Sequence, residues 1–127
     1  NIVFKNLIEL KEVSDNISLI YIPSPAVVLK MVEPIIVQNH MKEKNNLKNI
    51  TNLDLDKLNI LLSTKIEHFC KKNNIFFLNT TNDFKKISSQ KKTYGQLDFK
   101  HPNSFGYKFL ANLIIKNTSL INENDVK

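Results

Sequence analysis

The sequence has no arginine and no tryptophan, one cysteine and two glycines in 127 residues. Each shortage removes a class of function. All 18 basic residues are lysine, so the formal charge of +6 comes without the planar guanidinium fork that reads guanine and grips phosphate in bidentate fashion. Lysine and asparagine each occur 18 times and isoleucine 15 times, a bias that AT-rich coding produces with no selection for polyanions. No nucleic-acid partner is expected. With only Gly95 and Gly106, no glycine-rich loop exists to cradle a dinucleotide or a nucleoside triphosphate, and no cofactor is expected. Cys70 alone provides neither an intrachain disulfide nor a thiol pair for redox or zinc chemistry, and it leaves the compartment undetermined. Apolar runs such as 35–37 and 75–78 fall far short of the roughly 18 residues that span a bilayer, so no membrane segment is expected.

What is present is an alternation of short apolar runs and amphipathic segments. Residues 1–14 carry Val3, Leu7 and Leu10, with Ile2 and Val13, at helical spacing. Because this helix face is under way at Asn1, the reading expects chain upstream and takes 1–127 as part of one larger domain. Residues 17–22 are almost wholly apolar and end abruptly at Pro23-Ser24-Pro25, the pattern of a parallel strand buried on both faces. A short helix from Ala26 should stop near Glu33, before Pro34, with an extended or restarting segment after it, and 38–52 reads as a polar surface excursion without periodicity. Residues 54–72 form the most secure helix, with Leu55, Leu58, Leu62, Ile66 and Phe69 on one face and Asn73-Asn74 as a left-handed stop. A second strand at 75–79, a short helix over 83–89 and a final helix over 104–116 follow, with 118–127 as a frayed tail. Strands alternating with helices predict the α/β class, with two parallel strands and flanking helices.

The segment from Tyr94 to Tyr107 carries the chemistry. Asp98 and His101 stand three residues apart just before the last helix, whose first positions suit Pro102 and Asn103. A carboxylate that accepts from the imidazole Nδ1 fixes the tautomer and leaves Nε2 as a base, the part an acid plays in a Ser-His-Asp triad. An Asp three residues before a His is also an ordinary local hydrogen bond that merely caps a helix, and alone it would be read so. The extension through Pro102, Asn103, Gly106 and Tyr107 gives it context.

These residues resemble the last block of the SGNH (GDSL-like) ester hydrolases and O-acyltransferases, D-x-x-H-P-N-x-x-G-Y, followed by Leu110-Ala111. Upstream, the strand ending in Pro-Ser-Pro, the long helix near Cys70 and the next strand resemble the family's last two strands and their crossover. The resemblance implies a three-layer, flavodoxin-like parallel-sheet fold of which this chain is the C-terminal portion. It also implies His101 as general base, Asp98 as its orienter, and an acyl ester or acylated carbohydrate as substrate. The family's G-D-S nucleophile segment and the blocks that supply its oxyanion hole are absent from these residues. The resemblance places them upstream, in an N-terminal half of the same domain, so that this chain alone would be inactive. The alternative is a non-catalytic α/β binding or interaction domain of degenerate SGNH type.

The other conspicuous residues have plainer readings. Ser24 lies between two prolines with no glycine to permit a nucleophile elbow, and reads as a turn residue. His40 and His68 have no second ligand at metal spacing, so no metal site is expected. The lysine pairs beginning at Lys71, Lys85 and Lys91 read as solvated element ends, Phe76, Phe77 and Tyr21 as core, and Cys70 as a small buried apolar residue.

Overall fold

The computed structural model describes residues 2–29, 35–38, 47–95 and 101–124. Helix α1 (Ile2–Val13) leads to strand β1 (Ser18–Tyr21), a single turn of helix α2 (Pro25–Val28), strands β2 (Ile35–Gln38) and β3 (Leu47–Ile50), and the long helix α3 (Asn52–Lys72). Strand β4 (Phe76–Asn79), helix α4 (Thr81–Ser88) and helix α5 (Ser104–Asn124) complete the order. β1 and β4 pair in parallel, with Ser18 opposite Phe76 and Tyr21 opposite Asn79, so the protein is a mixed, mostly helical α/β structure.

Successive side chains of a strand point to opposite faces, and here they enter separate cores. Leu19 and its register partner Phe77 pack with Leu7, Cys70 and Ile75, joined by Phe4, Ile66 and Phe69. Ile20, one residue on, packs with Val28, Phe84, Tyr94 and Leu110, joined by Phe109 and Ile114. The Phe4 ring stacks on Phe69 at 4.2 Å and fixes α1 against α3. Phe84, wholly buried, meets Tyr94 at 5.9 Å and Phe109 edge-on at 5.6 Å, joining α4, the segment after it and α5.

Helix α3 starts two residues before the expected position because Thr51 and Asp54 form a reciprocal capping box. The Asp54 amide donates to Thr51 Oγ1 (3.2 Å) and the Thr51 amide to Asp54 Oδ2 (3.0 Å), satisfying donors that a helix start would leave open. The expected stop is present: Asn74 adopts φ 51°, and Asn73 Nδ2 donates to the Phe69 carbonyl at 2.8 Å. The inward face of α3 differs from expectation. Asn59, Ser63 and Cys70 are buried, whereas Leu58 and Leu62 are 51% and 45% exposed. The cause is polar: Asn59 accepts from the Tyr21 hydroxyl (2.9 Å) and donates to Thr81 Oγ1 (3.4 Å), which turns that side of the helix toward the ends of β1 and β4. α1 is likewise rotated, with Leu7 buried and Val3, Leu10 and Val13 exposed.

Two further expectations are corrected. The polar stretch after Gln38 contains β3, which pairs antiparallel with β2 in a register that sets Ile35 opposite Ile50. Its Leu-Lys-Asn-Ile sequence has no two-residue apolar alternation to signal a strand, and the ladder rests on backbone hydrogen bonds. Helix α5 continues through Asn124 rather than ending near Asn117. Asn117 Nδ2 donates to the Leu113 carbonyl (2.7 Å) and Thr118 Oγ1 to that of Ile114 (2.9 Å), so these side chains bond back along the helix instead of stopping it. α2 covers only Pro25–Val28 of the helix expected to run toward Glu33, and 30–34 lie outside the described residues.

Because Phe84 joins three elements, Phe84→Ala should lower stability by about 3–5 kcal/mol, the usual cost of emptying a buried aromatic site. Urea unfolding checks this, with Lys86→Ala, an exposed neighbour on α4, expected to change stability by less than about 0.5 kcal/mol.

Candidate functional site

The start of α5 is built around Asn103. Its Oδ1 accepts from the Gly106 amide at 2.9 Å, the usual action of an N-cap on the third helical residue. Its Nδ2 donates to the carbonyls of Lys92 (3.0 Å) and Tyr94 (3.2 Å), and its backbone amide donates to the Thr93 carbonyl (2.8 Å). One side chain thus caps the helix and holds an extended segment, which an isolated bridge between Tyr94 and Pro102 continues. Gly106 permits the approach: a Cβ on it would stand 2.2 Å from the Thr93 oxygen and 2.9 Å from Pro102 Cβ. The Thr93 oxygen cannot retreat without breaking its bond from Asn103.

The same segment is tied to the sheet. The Tyr94 hydroxyl donates to the Pro23 carbonyl at 2.6 Å, just beyond the C-terminal end of β1. Burial pushes the Tyr94 phenol up to about 12. At the neighbouring strand end, Thr80 donates to the Tyr21 carbonyl through both its amide (3.1 Å) and its Oγ1 (2.8 Å). Thr80 Oγ1 is therefore not a helix cap, as its place before α4 would suggest; Asn79 Oδ1 accepts from the Thr81 amide instead (3.1 Å).

His101 is exposed and stands immediately before buried Pro102, with its carbonyl facing the Gly95 amide at 3.5 Å. Asp98 lies outside the described residues, as does His40, so the Asp98 to His101 geometry expected from the spacing is not among the described contacts. Ser24 is exposed at the start of α2, its carbonyl accepting from the Val27 amide (3.0 Å), in keeping with a turn residue. His68 is exposed on α3 and Cys70 is wholly buried. Lys85, in the last turn of α4 and partly exposed, pairs with Asp56 of α3, and Lys91 Nζ lies 4.2 Å over the Phe105 ring. Among the described residues no three metal-binding side chains cluster, and no helix is long and apolar enough to cross a membrane.

Thr93, which helps hold the site's frame, carries no signal in the sequence, and Tyr94 is marked there only as the start of the segment that leads to His101. A threonine and a tyrosine after a lysine pair give no periodic signal, and their partners are Pro23, 71 residues away, for Tyr94 and Ser88 and Asn103 for Thr93. No family model, curated protein or solved structure matches the chain.

Two outcomes test this frame. Gly106→Ala should cost at least about 1–3 kcal/mol in urea unfolding, because the added methyl meets a backbone oxygen that is itself held. Ser104→Ala, two positions away and exposed, should cost less than about 0.5 kcal/mol. The raised phenol of Tyr94 has a definite sign. Below about pH 10 both folded and unfolded chains keep it protonated; between about 10 and 12 only the unfolded chain ionises, so stability falls across that window by about 1.4 kcal/mol per pH unit. In Tyr94→Phe that part of the alkaline loss should disappear, as measured by unfolding midpoints at pH 9, 10 and 11.

Proposed function

We propose that this chain is the C-terminal portion of an SGNH-type serine ester hydrolase or O-acyltransferase, and that it supplies the base, His101, and its orienting acid, Asp98. The observation that carries the reading is the attachment of the His101 segment to the C-terminal end of a parallel strand. In open α/β sheets, ligands bind beyond the carboxyl ends of the strands. Here Tyr94 ties the segment adjoining His101 to Pro23, and His101 itself is exposed. Apolar packing on both faces of β1 and the exposed Leu58, Leu61 and Leu62 of α3 favour a wider, three-layer sheet in which further chain covers these surfaces.

In the proposed reaction an upstream serine attacks the ester carbonyl while His101 Nε2 takes the hydroxyl proton and later returns it to the departing alcohol. Asp98 holds Nδ1–H throughout. Water then attacks the acyl-enzyme in a hydrolase, or a sugar hydroxyl in a transferase, giving its proton to His101, which passes it to the departing serine oxygen as the acyl–serine bond breaks. Neither nucleophile nor oxyanion donors are among the residues considered above.

A second reading, a binding domain without catalysis, has one observation in its favour. Asn103 and Gly106, two of the motif's most specific residues, are fully accounted for by capping and close approach. They would be required in a catalytically silent member as well.

An acetyl-ester assay on this chain and on the longer gene product containing it separates the readings. This chain alone should show no turnover. The longer protein should hydrolyse the ester, or transfer the acyl group to an added sugar. His101→Ala should then lower kcat at least about a thousandfold and Asp98→Asn by less. Full activity of the His101→Ala protein in both assays would refute the assignment of the base.

A further inference from the structure

The formal charge of +6 is not spread evenly along the chain. Residues 84–122 hold seven lysines against a single carboxylate, Asp98, which accounts for the whole excess; the other eleven lysines are matched by eleven aspartates and glutamates. AT-rich coding sets how many lysines there are, not where the acids are missing. Much of this excess gathers around the start of α5. Lys86, Lys91, Lys92 and Lys108 are exposed, and among the described residues no carboxylate pairs with any of them. Lys91 Nζ rests over the Phe105 ring, and Lys108 follows Phe105 by one helical turn on the same side, so two of the charges flank one ring. A cation over a ring face keeps its charge. The Lys92 carbonyl accepts from Asn103 Nδ2, which ties that lysine's backbone to the same helix start.

The outward face of α5 adds hydrocarbon to this charge. Tyr107, Ala111 and Ile115 recur at four-residue spacing and are all exposed, Tyr107 by 50% and Ile115 by 65%. Exposed Lys108 adjoins Tyr107, and exposed Lys116 adjoins Ile115. The exposed leucines of α3 have no such setting, since Lys57 and Lys65 stand there with Asp54, Asp56 and Glu67.

We propose that the outward face of α5, with Lys86, Lys91 and Lys92 beside its start, docks on a membrane surface rich in anionic lipids. Lysine without arginine suits that partner. Fluid headgroups accept a point charge at any angle and need no planar fork, whereas the interfaces between proteins are poor in lysine and rich in arginine. A cluster of four lysines is enough to hold a protein at an anionic leaflet, and Tyr107 and Ile115 then enter the headgroup region, where amphipathic and apolar side chains are favoured. Docking of this kind requires nothing of the ester chemistry proposed above.

Vesicles of equal parts phosphatidylglycerol and phosphatidylcholine test this. In about 0.1 M salt, where surface charges act over roughly 10 Å, they should carry the unaltered chain down on sedimentation, and vesicles of phosphatidylcholine alone should not. Replacing Lys91→Gln and Lys92→Gln together should weaken binding about tenfold or more, given the usual worth of each lysine at an anionic leaflet. The pair Lys57→Gln and Lys65→Gln removes the same charge from α3 and should weaken binding less than about twofold, because that face is not the one that docks. Since the chain has no tryptophan, Ile115→Trp supplies a single fluorescent reporter, whose emission should move to the blue on the anionic vesicles. Leu61→Trp on α3 should show no such change. Failure of the unaltered chain to sediment with anionic vesicles, equal weakening by the two lysine pairs, or a blue shift at position 61 as large as that at 115 would overturn the proposal. Retention on immobilised polyglutamate with none on the vesicles would assign the face to an acidic protein and overturn it as well.

Discussion

The fold around the site depends on the side chain of Asn103. Helix α5 cannot begin where it does unless its amide donors are satisfied, and the carbonyls of Lys92 and Tyr94 need donors of their own. Asn103 meets both needs with one acceptor and two donors, and its own amide adds a third bond to the segment. Aspartate, the usual equal of asparagine at a helix start, would keep the cap and lose both side-chain donors. The backbone-to-backbone distance this arrangement sets is what excludes any side chain at position 106. His101, next to the held Pro102, is exposed.

From this base the constraints run into the sheet. Tyr94 spans from the clamped segment to Pro23, while its ring packs on Phe84 in the core shared by α4 and α5. On the opposite side, Tyr21 and Thr81 at the strand ends meet through Asn59 of α3. The carboxyl edge of the β1–β4 pair is therefore held by hydrogen bonds, and its amino edge by the apolar cluster of Leu7, Cys70 and Ile75.

The parts of this architecture legible in the sequence are those signalled by local chemistry. Two uniformly apolar runs separated by a long helix predict a parallel pair, and β1 and β4 are paired so. Asn73-Asn74 predicts a left-handed stop, and Asn74 supplies it. The facing of α3 was not legible, because leucines on one flank outweigh Asn59 and Ser63 in any hydrophobic periodicity. Those two are buried for their hydrogen bonds and small size. β3 was missed because its Lys-Asn content carries no alternation, and the length of α5 because Asn117 and Thr118 look like stop signals until their bonds to preceding carbonyls are seen. In the site, Pro102 and Asn103 were legible as a helix start and Gly106 only as part of the motif; the role of Asn103 in holding segment 92–94 was not legible, since it involves residues nine to eleven positions earlier. The Asp98 partner of His101 remains part of the proposal and lies outside the described residues.

The central claim is that the Asp98 carboxylate orients the His101 imidazole, and the tautomer of that ring tests it most directly. A long-range proton–nitrogen NMR spectrum of the ¹⁵N-labelled chain, recorded where the imidazole is neutral, distinguishes protonated Nδ1 from protonated Nε2. The account predicts that His101 carries its proton on Nδ1, leaving Nε2 as the base, and that Asp98→Ala shifts the ring toward the Nε2–H form. An Nε2–H tautomer in the unaltered chain, or an Nδ1–H tautomer indifferent to the loss of Asp98, would contradict it.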